Sequence, residues 1–427
     1  MRKQNSRIFT KSSVLNDLEG NAFSRFVKSL LFLLNLIKNY FLKFFLFLLS
    51  YVIPKDKKVL FFSSVGNYKF PLFADEKGYQ FKESPKYLAI YTAKNIKNVK
   101  AYFHVPNREL FSEIETTGVI PVKGFLALWL MLRAKYVFVD SNNFLTLNAS
   151  FLVGRFNIVQ CWHGTTLKHL GVDRTKNKGF AFKFFYKFFE LEFKKYLFFC
   201  AASEEAARVF RGAFKTQNVK VVGYPRNDVF FDKSLLHKDL DKSLRFTEYD
   251  KVIAYIPTYR DVENNKRPFT ENGLKMLNKY LKENNYMFVL KKHPFDKSLP
   301  DFDDFSNIKD VSKEVSDLQE LLVYTDVLIT DYSSVFFDFC ITGKPILYYP
   351  YDYEEYLSDC RDMYYDYYEE IIGPFVYNEK ELIDSIKNID IWFNDKGYKK
   401  KYNGLQKKFN KYIDGKSCER VMRALGL

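Results

Sequence analysis

The chain lacks the patterns that mark several large enzyme classes. Among its 427 residues are five cysteines, Cys161, Cys200, Cys340, Cys360 and Cys418, scattered and with no CxxC pair. An odd set in mostly apolar contexts argues against a disulfide framework or a zinc site, and for a reducing compartment. Neither GxGxxG nor GxxxxGK[ST] occurs, which disfavours a dinucleotide oxidoreductase and a P-loop NTPase. HExxH, a glycine-flanked nucleophilic serine and a cluster of metal ligands are missing as well, so nothing points to a metalloprotease or a serine hydrolase. Long uncharged apolar runs are also lacking. The most apolar stretch, residues 27–53, is interrupted by Lys28, Lys38 and Lys43. Its longest uncharged run is about ten residues, where a membrane-spanning helix needs about 20.

What is present first sets the scale. The length exceeds one ordinary domain, and 47% hydrophobic residues suffice for two cores. The net charge of +15 favours anionic partners: nucleic acid, acidic lipid or phosphorylated substrates. The basic residues are dispersed and no RNA- or DNA-binding motif accompanies them, so a nucleic-acid partner is not expected.

On a helical wheel of residues 27–53, Lys28, Asn35, Lys38, Asn39, Lys43 and Ser50 share one arc, and Leu and Phe fill most of the rest. That pattern describes a helix lying in the interface of an acidic membrane surface. A buried core helix and a transmembrane helix are the competing readings. No small-residue cleavage site follows, which argues against a signal peptide. Residues 179–199 place Lys183, Lys187, Glu190 and Lys194 on one helical face against phenylalanines. This is either a second membrane-contacting helix or a core helix.

After Pro54, apolar runs ending in polar clusters alternate with helical segments. KVLFFS, AYFHVP, YVFVDS, NIVQCWHG and VKVVGYP read as strands in a first half, with YLAIYTAKN and ALWLMLRA as helices. Residues 233–250 are charged and aperiodic, as a linker would be. KVIAYIPTYRD, YMFVLKKHPF, VLITDYSS and PILYYPYD read as strands in a second half. The alternation predicts parallel sheets covered by helices, an α/β class with two Rossmann-like domains facing a cleft. The expected organisation is a basic tail with an amphipathic membrane-associated helix (1–56), an N-terminal domain (57–245), a C-terminal domain (246–397) and a helical C-terminal segment (398–427). In such sheets ligands sit beyond the carboxyl ends of the strands.

The polar clusters at those ends are the candidate site. TDYSS (330–334) leads from a strand into a helix at Val335–Ile341, where backbone N–H groups and the helix dipole suit a phosphate. Its bland alternative is that Ser333 or Ser334 simply caps the helix. His163, in WHGTT, is placed as a general base or as a hydrogen-bonded structural histidine, followed by Thr165, Thr166 and Lys168, which suit a phosphate or a sugar hydroxyl. His293, in KKHP, and Arg260, in PTYRD, bring cations to the second half. Arg260 is suited to a bidentate grip on phosphate, or else to a salt bridge with Asp261. Arg226 and Asp228, in GYPRND, lie in a turn where a structural role weighs at least as much as a catalytic one.

Taken in order, WHGTTLKHLG (162–171), SEEAARVFRGAF (203–214), GYPRND (223–228), IPTYRD (256–261), KKHP (291–294) and LITDYSSVFFDFCITGKPILYYPYDYEEY (328–356) resemble the CDP-glycerol glycerophosphotransferase family, which includes teichoic-acid glycerol-phosphate primases and polymerases. RDMYYDY (361–367) and IDGKSCERV (413–421) look like its closing segments, and the resemblance covers roughly residues 57–425. The family usually has proline where Thr166 stands.

The resemblance implies a GT-B fold attached peripherally to the cytoplasmic face of the membrane. It implies transfer of glycerol phosphate, or a related polyol phosphate, from CDP-glycerol or another CDP-polyol, with release of CMP. The acceptor is a hydroxyl of a lipid-linked saccharide or polyol-phosphate polymer, in teichoic-acid or capsule synthesis. It makes His163 the base or acceptor-positioning group. His293, Arg260, Thr258, Ser333 and Ser334 surround the donor pyrophosphate, and Asp331 shapes the turn. Thr165, Lys168, Arg226 and Asp228 are acceptor-side or supporting residues. Cations and helix-terminal amides suffice to stabilise the phosphates, so no metal and no cofactor is expected. A CDP-ribitol-using transferase and a GT-B nucleotide-sugar glycosyltransferase remain as alternatives.

Overall fold

The structure, a computed structural model, describes residues 45, 48–64, 81–141, 155–175, 179, 190, 193–236, 240–258, 267–292, 304–359 and 363–427. Residues 1–54 and 55–427 form two compact units. Within the first, residues 48–52 are helical, Ile53 N donates to Leu49 O at 2.9 Å, and Leu48, Tyr51 and Val52 are exposed. The rest of the expected interfacial helix lies outside the described residues, as does most of the 179–199 stretch. Among the described residues no helix is long and apolar enough to cross a membrane.

The second unit holds two wholly parallel sheets. β1 (Asp56–Ser63), β2 (Lys100–His104), β3 (Ile120–Val122), β4 (Ala134–Val139), β5 (Ile158–Gln160), β6 (Phe198–Ala201) and β7 (Val219–Val221) form a seven-stranded sheet in the order β3-β2-β1-β4-β5-β6-β7. β8 (Lys251–Ile256), β9 (Tyr286–Leu290), β10 (Ile308–Asp310), β11 (Val327–Thr330) and β12 (Ile346–Tyr348) form a five-stranded sheet in the order β10-β9-β8-β11-β12. The strands are buried almost throughout because both faces are covered, which is why they read as continuous apolar runs. In each sheet the strand order reverses once, between β1 and β4 and between β8 and β11. A ligand fits at such a reversal, where the loops on either side diverge.

The covering helices follow from local sequence. α1 (Glu83–Asn95) and α2 (Gly124–Arg133) pack on the first sheet, and α3 (Glu204–Phe214) opens where Ser203 Oγ accepts from Ala206 N at 3.1 Å. Glu204 and Glu205 then lie in its first turn, complementing the helix dipole. α4 (Glu271–Glu283) is capped by Thr270 and buries Leu274, Leu277 and Leu281, one stripe at helical spacing. α5 (Leu318–Tyr324) precedes β11, and α6 (Val335–Phe339) follows it.

Residues 233–250 are not the bare linker that their charge suggests. Short helical turns lie at Lys233–Leu235, Leu240–Leu244 and Phe246–Glu248, and Leu235, Leu240, Leu244 and Phe246 are buried. Beyond the second sheet, α7 (Lys396–Phe409) packs on both halves: Tyr402 OH donates to Lys344 O at 2.7 Å, and Lys411 N, just after the helix, donates to Ala202 O at 2.9 Å. α8 (Ser417–Ala424) returns to the first sheet, where Cys418, Val421, Met422 and Leu425 join the core containing Leu60, Phe103 and Val159.

Candidate active site

His163 stands just past the end of β5. Trp162 before it adopts a left-handed backbone, φ 52°, a strained conformation for a bulky residue. The Trp162 ring is held edge-on by Phe214 at 4.8 Å, and the Trp162 backbone N–H donates to Gln160 Oε1 at 3.0 Å. His163 stacks on that indole at 4.5 Å between centroids, so the rigid tryptophan sets the plane of the imidazole. His163 Nδ1 lies 3.1 Å from the carbonyl oxygen of Asp140, at the end of β4. A carbonyl only accepts, so Nδ1 carries the proton and Nε2 keeps its lone pair. Although the residue is open to solvent, the protein around it displaces water and pulls its pKa below the ordinary histidine value. The Asp140 hydrogen bond and the Glu83 carboxylate oppose that shift, and the Arg226 cation adds to it. The ring is therefore neutral near pH 7, the state a general base requires.

The second turn lies at the reversal between β8 and β11. Asp331 is fully buried and its Oδ1 accepts from Thr258 N at 2.8 Å, tying the tips of the two strands. Tyr367 OH donates to the Asp331 carbonyl at 3.0 Å from behind. Tyr332 points inward, stacked on Tyr356 at 3.8 Å and donating to Asp352 Oδ1 at 3.2 Å. Ser333 and Ser334 are left half-buried at the start of α6. Ser334 occupies the N-cap position, yet its side chain makes no capping hydrogen bond, while Ser333 Oγ accepts weakly from Val335 N at 3.4 Å.

Segments from the two halves meet between these turns. Tyr364 N donates to Leu167 O at 2.9 Å, and Lys168 forms an antiparallel bridge with Met363. Tyr364 OH accepts from Leu170 N at 3.1 Å and donates to Asp173 at 2.7 Å. Lys168 Nζ sits 5.0 Å from the Tyr356 ring centroid. The stretch after His163 is thus laid along the loop that supports the TDYSS turn.

The other sequence candidates divide. Thr165 is buried and its hydroxyl meets Tyr224 OH at 3.4 Å. Arg226 is buried against Glu83 and Asp338. Asp228 is buried too, its two oxygens accepting from Ser417 N at 2.9 Å and Cys418 N at 2.7 Å, so it caps α8. Lys291 donates to Ser312 O at 3.3 Å, and Lys292 pairs with Asp310 at 2.8 Å, so both point toward β10. Arg260 and His293 lie outside the described residues. Sequence reasoning overlooked Asp140, Glu83 and Asp338. Asp338 was the most findable, as a lone carboxylate in the apolar run VFFDFC. Among the described residues no group of three or more His, Cys, Asp or Glu is arranged to hold a metal ion.

Two parallel sheets in series, with polar turns at the strand ends beside each reversal of order, define an α/β protein with its candidate site at those strand ends. The family model described as CDP-glycerol:poly(glycerophosphate) glycerophosphotransferase matches residues 55–426. The teichoic acid glycerol-phosphate primase of Bacillus subtilis (strain 168) is 32% identical over 392 residues, covering 90% of this chain and 95% of the relative. The teichoic acid glycerol-phosphate transferase of Staphylococcus aureus (strain NCTC 8325 / PS 47) is 30% identical over 391 residues, covering 85% and 94%. A solved structure of a variant of the wall teichoic acid polymerase TagF superposes with a TM-score of 0.70 at 25% identity, covering 87% of this chain and 89% of that one. The chain belongs to the CDP-glycerol:poly(glycerophosphate) glycerophosphotransferase family.

Proposed function

We propose that this enzyme moves glycerol phosphate from CDP-glycerol to a hydroxyl of a lipid-linked acceptor in teichoic-acid synthesis. Its two sheets then act as the acceptor-side and donor-side domains of a GT-B fold. The observation that carries the reading is one of neighbourhood. His163, with Nε2 free to accept a proton, is followed by Gly164, which abuts Asp338, and Asp338 lies one helical turn beyond Ser334. A base and a hydroxyl-bearing phosphate turn are thereby presented side by side.

In this reading the donor pyrophosphate rests on Ser333, Ser334 and the amides of the TDYSS turn, with Thr258 beside it and Arg260 and His293 supplying positive charge. The acceptor hydroxyl gives its proton to His163 Nε2 as its oxygen attacks the phosphorus that bears glycerol. The new P–O bond is the phosphodiester, the anhydride P–O bond breaks, and CMP departs. Such transfers depend on positioning and on stabilising oxygens more than on covalent help. The apolar, lysine-bearing segment at residues 27–53 suits attachment to an acidic membrane surface, where a lipid-linked acceptor resides.

The test is incubation of the full chain with CDP-glycerol labelled in the glycerol and a lipid-linked saccharide. Label should move to the lipid fraction with equimolar CMP. Release of a nucleoside diphosphate would instead indicate sugar transfer, and preference for CDP-ribitol would change the polyol.

A further inference from the structure

Gly164 follows His163 with φ 108°, and a Cβ built on it would collide with Arg226 Nη2 and lie 3.5 Å from Asp338 Oδ2. The guanidinium therefore occupies the space that a side chain next to His163 would fill. Two carboxylates hold it there. Nη1 donates to Glu83 at the start of α1, and Nη2 donates to Asp338 in α6. The other Asp338 oxygen accepts from Asn227 Nδ2 at 2.8 Å, and Asn227 Oδ1 accepts from Gln319 Nε2 at 2.8 Å. Glu83 itself sits at φ 61°, so left-handed backbone is stored at Glu83 and Trp162, around the same guanidinium and imidazole.

We propose that Arg226, held between Glu83 and Asp338, is a positioning residue that fixes the His163 turn against the helix beginning after Ser334. The inference rests on the transfer reading above and adds the device that keeps base and donor turn in register. Apolar packing would stabilise such a junction as well as a buried ion cluster does. What the cluster adds is direction: a planar guanidinium with two fixed carboxylates has one orientation, and it transmits the position of α6 to the His163 backbone. A reacting group displaced by about 1 Å loses roughly a hundredfold in rate.

The charges that bear on the His163 ring give a second signature. Glu83, from α1, raises its pKa and Arg226 lowers it, while the Asp140 contact is a backbone carbonyl. Loss of Glu83 and loss of Arg226 act on the His163 ring with opposite signs, so its titration reports whether the cluster still sits beside the imidazole in each folded variant.

The experiment uses full-length Arg226→Met, Arg226→Lys, Glu83→Gln and Asp338→Asn proteins. Thermal unfolding reports folding, CDP-glycerol turnover reports kcat and KM, and NMR of labelled imidazoles reports His163. Arg226→Met, Arg226→Lys and Asp338→Asn should each lower kcat about a hundredfold, with donor KM changed by less than about threefold. The His163 titration should move up in Arg226→Met, down in Glu83→Gln, and little in Arg226→Lys. Should Arg226→Met fail to fold, Glu83→Gln and Arg226→Lys still carry the comparison. Unchanged kcat in the folded Arg226 and Asp338 variants, or one His163 titration common to all, would overturn the proposal. If wild-type protein leaves CDP-glycerol untouched while the titrations split as stated, the transfer reading fails and the coupling stands.

Discussion

The Thr258 amide donates to Asp331 Oδ1 at 2.8 Å, and this one hydrogen bond joins the tips of β8 and β11 where the strand order reverses. Asp331→Ala leaves a half-buried amide without its acceptor, which costs about 1–3 kcal/mol. The turn should loosen, and donor KM should rise about tenfold by the general scale of such losses. Asp331→Asn keeps Oδ1 as an acceptor and should be milder. Donor saturation curves for the two variants check the order.

His163 is fixed through Nδ1, which leaves the Nε2 lone pair for the proposed role of proton acceptor. His163→Ala should lower kcat by about 10²–10⁴ and leave donor KM nearly unchanged. Because its pKa is held below the ordinary value, the acid limb of the kcat profile should fall below pH 6.5, the ordinary histidine value. A pH–rate profile settles this, and a limb above pH 7 would contradict the assignment.

Two serines in cap positions should behave differently. Ser203 Oγ accepts from Ala206 N at 3.1 Å, whereas the Ser334 side chain caps nothing. Ser203→Ala should cost about 1 kcal/mol of stability. Ser334→Ala should leave stability within about 0.5 kcal/mol and weaken donor binding. Urea unfolding and donor KM measured on the same samples separate the two.

Asp228 accepts from both leading amides of α8 while buried. Asp228→Ala should destabilise by about 2–4 kcal/mol, combining a lost cap with two stranded donors. Hydrogen exchange should show the protection of residues 417–424 falling before that of β8 and β11.

His104 is fully buried at the end of β2, and burial lowers its pKa to about 3 from 6.5. The unfolded chain binds the proton first, so stability is level above pH 6.5 and falls as pH drops from there toward 3. Between pH 7.5 and 5 the loss from this residue should be about 2 kcal/mol. His104→Phe should lose correspondingly less over that interval, as urea unfolding at the two pH values will show.

Much of the fold was legible because parallel strands buried on both faces leave unmistakable apolar runs. KVLFFS and VLITDYSS fall on β1 and β11, and the helix after TDYSS begins at Val335 as its spacing predicts. β3, β6 and β10 escaped notice. β3 carries Pro121, which disfavours a strand reading, β10 is a single isoleucine followed by Lys309 and Asp310, and β6 follows an aromatic stretch that reads equally well as helix. Within the site, His163 and the TDYSS turn announce themselves as polar residues at strand ends. Glu83 does not, because what makes it matter is an arginine 143 positions away. Asp228 was visible as a residue, but its partners at Ser417 and Cys418 are a product of topology that no local pattern encodes.

The return of α8 to the first sheet has a consequence for biosynthesis. The core around β1 and β2 takes Cys418, Val421, Met422 and Leu425 from a segment translated after the entire second sheet. The first half, although made first, cannot close its core while the ribosome is still making the second. Domains made in sequence usually fold in sequence. Here the earlier one must wait, exposing apolar surface throughout synthesis, and the two halves should complete folding together.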